Sequence, residues 1–210
     1  MAASPAKARS APRPRPGGRS ARVREAVLAA AVRELAAVGY SDLSLESVAR
    51  RAGVHRTTLF RRWGSREALV LELMLERASR EVPVPDTGSL REDLLQLARR
   101  AVATASSPDI EAVVRAVLSE IRQDPELAEA SSQFWAKRMS LDGAIVERAV
   151  ARGEVAAGVD PRLVIETVLG PLHLRLLVSG DAPEEAEIAH VVDLVVDGVT
   201  RPRSDAPSDR

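Results

Sequence analysis

Apolar residues recur along most of this chain at intervals of three and four positions, the spacing that places side chains on one face of an α-helix. In the first such segment Val23, Val27 and Leu35 follow this spacing, and Gly39 stands where a helix commonly ends. Almost no segment alternates apolar and polar residues at a period of two, as half-buried strands do. The pattern therefore predicts an all-α protein.

Capping residues and prolines set the predicted helix boundaries. Ser44 and Ser65 are suited to cap the second and fourth helices. Ser107, Asp124 and Asp160 each stand directly before a proline, so a capping oxygen precedes a proline at the first helical position. About nine helices result, over residues 20–38, 45–52, 55–63, 66–80, 89–105, 108–122, 125–152, 161–179 and 183–199.

The second and third helices are short and are joined by a tight turn at Gly53. In the third helix Leu59 and Trp63 are four positions apart, so both are expected to face the core, Trp63 as a packed side chain rather than a base-stacking one. The other side of this helix stays free and displays guanidinium and hydroxyl groups, which suit the base edges and phosphates of duplex DNA. Residues 19–66 are therefore predicted to form a helix-turn-helix unit.

The charge distribution supports this interpretation. The formal net charge is zero, but residues 1–66 hold 14 Lys and Arg against 4 Asp and Glu, whereas residues 67–210 hold 16 against 26. A basic front half and an acidic rear half predict that the front binds a polyanion and that the rear has another task.

Several classes of protein are excluded by what the sequence lacks. It has no cysteine, which excludes a disulfide framework, a thiol nucleophile and cysteine-ligated zinc. The N-terminus is basic and Pro-rich, unlike a secretory signal, and no run approaches the roughly 20 apolar residues of a membrane span. Nucleotide-binding glycine loops, His-x-x-x-His pairs and nucleophile elbows are absent too. We therefore expect a cytoplasmic, nucleoid-associated protein that is not an enzyme, with no catalytic residue, metal, cofactor or membrane partner.

Residues 53–69 read GVHRTTLFRRWGSREAL, and they follow Gly39-Tyr40 and the segment 43–49. This arrangement resembles the signature of the TetR family of bacterial transcriptional regulators, whose usual form is a Gly-Val-Ser-x-x-Thr-Leu-Tyr-x-x-Phe turn and helix followed by a Ser-Lys-Glu-x-Leu helix start. The resemblance implies an N-terminal three-helix DNA-binding domain over residues 19–66. It also implies a C-terminal helical domain over residues 67–200 that binds an effector and dimerises.

Family roles carry over to positions that match the motif. The resemblance implies base contacts from Arg56, Thr57 and Arg61. It implies phosphate contacts from Ser44, Thr58, Arg62 and Arg66. His55 stands in place of the usual Ser or Thr, so its cap is weaker, and Phe60 replaces the usual Tyr and lacks the hydroxyl that would bond a phosphate. The implied DNA-binding residues are Ser44, His55, Arg56, Thr57, Thr58, Phe60, Arg61, Arg62 and Arg66.

These assignments have plainer alternatives. Arg62 and Arg66 are also consistent with ordinary solvated surface, and Thr58 with simple packing. The arm at residues 1–18 is predicted to be disordered and either solubilises the chain or adds phosphate and minor-groove contacts. The tail at residues 201–210 is predicted to be disordered as well.

The last two helices carry long apolar faces that exceed what one subunit easily covers. The resemblance implies that they form a four-helix dimer interface, although a core within one subunit is the alternative. A dimer with two-fold symmetry implies a roughly palindromic operator. The predicted interface residues are Leu169, Leu172, Leu176, Val191, Leu194 and Val195.

The resemblance also implies a cavity for a small-molecule effector within the C-terminal helices. Arg138 and His173 would be its polar groups if the effector is anionic or polar. The alternative for each large apolar side chain is ordinary core packing. The predicted lining residues are Met74, Arg122, Phe134, Trp135, Arg138, Met139 and His173.

Together these features predict a ligand-responsive regulator, a repressor, which binds a palindromic operator as a homodimer and is released by an unidentified small molecule. The alternative is an architectural protein that binds DNA without regard to sequence and relies on the basic arm.

Overall fold

The computed structural model describes residues 18–200, and over this range the predicted all-α fold is confirmed. The predicted arm and tail lie outside the described residues, apart from Gly18. The described helices are α1 (Arg19–Val38), α2 (Leu45–Ala52), α3 (Arg56–Arg62), α4 (Arg66–Glu81), α5 (Leu90–Ala105), α6 (Pro108–Glu120), α7 (Pro125–Arg152), α8 (Pro161–Leu174) and α9 (Glu185–Thr200), with a π turn (Arg175–Ser179) directly after α8.

Most predicted N-caps are present. The side chains of Ser44, Ser65, Asp124 and Asp160 each accept a hydrogen bond from a backbone N–H in the first turn of the helix that follows. Ser107 is an exception, because its hydroxyl donates to the Thr104 carbonyl, 2.8 Å away, and makes no bond to α6. The predicted cap at this position is therefore wrong, although the helix still begins there.

The end of α8 differs from the prediction of one α-helix over residues 161–179. Pro171 lies inside α8 and has no N–H to donate, and the backbone pattern changes to a π turn after Leu174. Two other boundaries move by two residues: α6 ends at Glu120, and α9 begins at Glu185 instead of Pro183.

Two hydrophobic cores organise the described residues. The N-terminal core joins α1–α4 with Val113 and Val117 of α6 and Leu127 of α7, so it extends well past residue 66. The C-terminal core joins side chains of α5, α7, α8 and α9. Over residues 18–200 no helix is both long enough and apolar enough to cross a membrane.

The helix α4 connects the two regions. Only Trp63, Gly64 and Ser65 separate it from α3, and Gly64 has a φ of 75°, a conformation that favours glycine. Leu69 and Leu73 of α4 pack in the N-terminal core, and α4 also packs against α7. A displacement of α4 would therefore also move α3.

Candidate functional site

The helix α3 is held on one side and free on the other. Leu59 is fully buried and Trp63 nearly so, which fixes the helix against the N-terminal core. Thr57, Phe60 and Arg61 are exposed on its free side. The predicted DNA-contacting residues of α3 therefore share one accessible surface, as a recognition helix requires.

Arg56 projects from this surface with only weak partners. Its side chain is 64% exposed, and its Nη2 atom lies 3.8 Å from the Glu46 carboxylate of α2. The guanidinium also lies 5.6 Å from the centre of the Phe60 ring. An exposed ion pair of this length contributes little, so the guanidinium can leave it for a base edge.

Two further predicted residues form caps and keep polar atoms for a partner. The Nδ1 atom of His55 accepts a hydrogen bond from the Thr57 backbone N–H over 3.4 Å, a long bond that agrees with the weaker cap expected there. The Ser44 hydroxyl accepts from the Ser47 N–H over 3.1 Å and keeps its own proton available for donation.

Arg62, the α3 arginine predicted to contact a phosphate, already has partners within the protein. The Arg62 guanidinium lies 5.1 Å from the centre of the Trp63 ring and 3.7 Å from the Glu72 carboxylate. Arg61, by contrast, has no acidic partner among residues 18–200. Thr58 is half-buried.

Arg66 is committed to contacts within the protein. Its guanidinium donates to Glu67 over 2.8 Å, to Asp124 over 3.2 Å and to the Ser41 carbonyl over 3.2 Å. It also stacks 4.4 Å from the centre of the Tyr40 ring. A phosphate contact from Arg66 stays a prediction, but the observed role is to join the start of α4 to the N-terminus of α7.

Tyr40 completes this arrangement, and we call Tyr40, Arg66, Glu67 and Asp124 the junction cluster. The buried Tyr40 hydroxyl donates to Glu67 over 2.8 Å and lies 3.2 Å from Asp124. Burial, followed by the bond to Glu67, raises the pKa of Tyr40. Burial opposes ionisation of Glu67, but its backbone N–H and the Arg66 and Tyr40 bonds lower its pKa overall. Apart from a lone tyrosine, no sequence pattern indicates this cluster.

A cavity of about 120 Å³ lies among α4, α5, α6, α7 and α8. Five of the seven predicted lining residues surround it, and two do not. Arg122 is exposed in the turn after α6, because α6 ends before it. Met139 packs in the C-terminal core. The five are Met74, Phe134, Trp135, Arg138 and His173.

The cavity wall contains a buried ion pair. Arg138 donates to both oxygens of Asp142, over 2.7 and 2.5 Å, and also to the Ala78 carbonyl of α4 over 3.3 Å. Burial raises the pKa of Asp142 to about 6, although Arg138 acts in the opposite direction. Burial likewise lowers the pKa of His173.

Four of the six predicted interface residues face the interior of their own subunit. Leu169, Leu172, Leu176 and Val195 are buried, Val191 is half-buried, and only Leu194 is largely exposed. The assignment of those four is corrected because they form the inner stripes of α8, the π turn and α9. The exposed apolar side chains of this region are instead Leu163, Leu174, Val178 and Leu194.

No group of His, Asp and Glu side chains in the described part of the chain is arranged to hold a metal ion.

Comparisons with known proteins match both parts of the chain. A family model described as "Bacterial regulatory proteins, tetR family" matches residues 27–73, and one described as "Tetracyclin repressor-like, C-terminal domain" matches residues 84–195. The HTH-type transcriptional regulator AqdR of Rhodococcus erythropolis is 34% identical over 180 residues, which are 86% of this chain and 86% of that protein. The DNA-binding transcriptional repressor TetR of Mycobacteroides abscessus is 34% identical over 185 residues, covering 84% of this chain and 93% of that protein.

Solved structures agree with these matches. The TetR family transcription regulator SCO0332 has a TM-score of 0.72 and 29% identity, covering 85% of this chain and 98% of its own. The flavonoid-responsive regulator FrrA has a TM-score of 0.65 and 25% identity, covering 88% of this chain and 100% of its own.

Proposed function

The chain belongs to the TetR family of bacterial transcriptional regulators, which bind DNA through a helix-turn-helix, and from this premise we propose that it is a dimeric repressor released from its operator by a small molecule. In this proposal residues 19–66 bind DNA, and residues 67–200 bind the effector and dimerise. The operator has approximate two-fold symmetry, because each subunit of the dimer presents one recognition helix.

The exposed face of α3 is the observation that carries this proposal. Arg56 and Arg61 stand on it without strong protein partners, next to the small hydroxyl of Thr57. These side chains can contact base edges in the major groove, while Ser44 and His55 supply hydrogen-bond donors to phosphates of the adjacent DNA backbone.

Exposed leucines support dimerisation. Leu163, Leu174 and Leu194 are each more than half exposed on α8 and α9, although large apolar side chains normally cluster inside a protein. A second copy related by two-fold symmetry would cover them and would set the spacing of the two recognition helices.

The path from the cavity to α3 supports release by an effector. Met74 of α4 lines the cavity, and only three residues separate Arg66, where α4 begins, from Arg62, where α3 ends. An effector that binds more tightly when α4 is displaced shifts the population towards the form that has left DNA. By its name the relative from Mycobacteroides abscessus is a repressor, and by its name FrrA responds to flavonoids, which agrees with this mode of action.

A comparison of two arginine variants tests the DNA-binding proposal. The operator is sought as an inverted repeat in the intergenic DNA beside the gene, and a shuffled duplex of equal composition serves as control. We expect Arg56→Ala to weaken operator binding by about 1–3 kcal/mol and to relax base preference, with a much smaller loss on the shuffled duplex. Fluorescence anisotropy at several salt concentrations measures both.

The matched control is Arg115→Ala. Arg115 is an exposed arginine of α6 that pairs with Glu111 at 2.8 Å, so its loss removes the same charge far from α3. It should leave both affinities unchanged. Equal losses on operator and shuffled duplex for Arg56→Ala would favour the architectural alternative instead.

A further inference from the structure

Every charged side chain in the wall of the cavity already has a partner of opposite charge. Arg77 pairs with Glu81 over 2.6 Å, at the cavity edge. Arg138 holds both carboxylate oxygens of Asp142, and each side chain is at least nine-tenths buried. The cavity therefore offers no unpaired charge to a ligand.

An anionic ligand could bind Arg138 only by displacing Asp142. The Asp142 side chain is fully buried, and in the part of the chain that the structure describes its hydrogen bonds come from Arg138 alone. Displacement would leave a carboxylate buried without a partner, which is strongly unfavourable. A cationic ligand meets the converse obstacle, because Asp142 is already occupied.

The remaining wall is apolar and aromatic, with neutral hydrogen-bonding groups. Phe134 and Trp135 pack edge to face with ring centres 5.0 Å apart, and Trp135 and His173 do the same at 6.0 Å. His173 and Thr104 line the same space. No hydrogen bond occupies either side chain within residues 18–200.

The size of the cavity limits the ligand further. Its volume of about 120 Å³ is close to that of an apolar protein cavity that accepts benzene, roughly 150 Å³. One ring with a short substituent fills this space while the wall keeps its conformation.

We propose that the cavity binds an uncharged molecule built on a single aromatic ring with one hydrogen-bonding substituent, and that it rejects carboxylates and ammonium ions of the same size. This inference rests on the proposed function, because it names the chemical class of the effector. The ring lies against Phe134 and Trp135, and the substituent meets His173 or Thr104.

Matched probes test this selectivity. Benzyl alcohol, benzoate and benzylammonium carry the same ring with no charge, a negative charge and a positive charge. We expect benzyl alcohol to bind about tenfold or more tightly than either ion at pH 8, where Asp142 is ionised. Benzoate or benzylammonium binding equal to or tighter than benzyl alcohol would overturn the inference.

The two tryptophans of the chain give separate readouts in the full-length, ¹⁵N-labelled protein. Trp135 lines the cavity, so its indole N–H resonance is expected to shift when a ligand binds there. The indole N–H of Trp63 donates to Glu72 of α4 over 2.6 Å and reports a displacement of α4. Trp135→Phe assigns the two resonances.

A pair of alanine variants on α5 establishes the location. Ala101 lines the cavity, whereas Ala103 is exposed on the same helix. Ala101→Leu should weaken benzyl alcohol binding about tenfold, while Ala103→Leu should leave it unchanged, and both should keep the native Trp63 resonance. Unchanged binding to Ala101→Leu would place the ligand elsewhere and overturn the inference.

Operator affinity separates this inference from the proposed function. Tight binding of benzyl alcohol without any change in operator affinity would defeat the release mechanism and leave the ligand class intact. Preference for benzoate, with release of the operator, would defeat the ligand class and leave the release mechanism intact.

Discussion

Tyr40 is the only tyrosine of the chain, and its hydroxyl lies between the carboxylates of Glu67 and Asp124. We expect Tyr40→Phe to lower the free energy of unfolding by about 1–3 kcal/mol, because Glu67 is nearly buried and loses a hydrogen-bond donor. Urea denaturation measures this change. Ser41→Ala is the control: it removes a 2.8 Å bond to Glu120 at the surface and should cost under about 0.5 kcal/mol. An equal loss of unfolding free energy in both variants would show that the Tyr40 hydroxyl contributes no more to stability than a surface hydrogen bond.

His173 makes a prediction about pH. Its folded-state pKa is lowered by burial, so near pH 6 this histidine binds more protons in the unfolded chain than in the folded one. Its contribution to stability is therefore present above its unfolded pKa of about 6.5 and is lost as pH falls through that value. Asp142 works in the opposite direction, because burial raises its pKa to about 6.

The difference between wild type and His173→Gln isolates the histidine from Asp142. We expect the free energy of unfolding of the wild type, relative to the variant, to fall between pH 7 and pH 5. Thermal or urea denaturation at each pH measures it. A difference that stays constant over this range would show that His173 titrates alike in the folded and unfolded chains.

The positions of single residues could be predicted from the sequence where a local rule applied. They could not be predicted where a contact with a residue far along the chain determined the side-chain position. Arg56 and Arg61 were expected on a free helix face, and both are exposed there. Arg66 matched a motif position implied to meet phosphate, yet its guanidinium is held by Asp124, 58 positions away. The burial of Asp142 was not predicted, because a single aspartate within a helical segment does not indicate burial.

At the scale of the helices, capping rules predicted most boundaries because a cap is a local interaction. These rules do not predict the long-range contacts that one capping side chain also makes. Asp124 accepts from the N–H groups of Glu126 and Leu127 at the start of α7, and it also contacts Tyr40 and Arg66 of the junction cluster. Ser107 also stands directly before a proline but does not cap α6, because its hydroxyl donates to the Thr104 carbonyl instead.

Two aspartate caps therefore allow a matched comparison. Asp160 caps α8 through a single bond of 2.9 Å to the Arg162 N–H. We expect Asp160→Ala to cost about 1 kcal/mol, as typical caps do. Asp124→Ala should cost clearly more, about 2–4 kcal/mol, because two capping hydrogen bonds and two junction contacts are lost. Chemical denaturation of both variants measures the difference. Equal costs would show that the contacts between Asp124 and the junction cluster add nothing.

At the scale of the whole molecule, helical periodicity predicted that α8 and α9 are strongly apolar, but four of the six residues predicted for an interface are buried within their own subunit. Both helices have apolar side chains on two faces, and a periodic pattern does not distinguish the face that meets the core from the one that meets a partner. Leu169 and Leu172 fill the C-terminal core, while Leu174 and Leu194 are exposed. Only packing of the complete chain separates these roles.

Leu194 then provides a test of the proposed dimer. Its side chain is 61% exposed on α9, so a glutamate there is tolerated by a lone subunit but places a charge within an apolar interface. We expect Leu194→Glu to sediment as a monomer while keeping its helical circular dichroism spectrum. Its operator affinity should fall by about 100-fold or more, because the two recognition helices are no longer linked. Its affinity for a duplex with a single half-site should match that of the wild type.

Leu118→Glu supplies the control, since Leu118 is 51% exposed on α6, outside the proposed interface. This variant should remain dimeric and bind the operator normally, which separates the effect of position from the effect of replacing an exposed leucine with a charge. If Leu194→Glu also stays dimeric, the exposed leucines of α8 and α9 do not form the interface, and the spacing of the recognition helices must be set by another surface. If it becomes monomeric yet keeps full operator affinity, one helix-turn-helix is sufficient for binding, and the expectation of a palindromic operator fails with it.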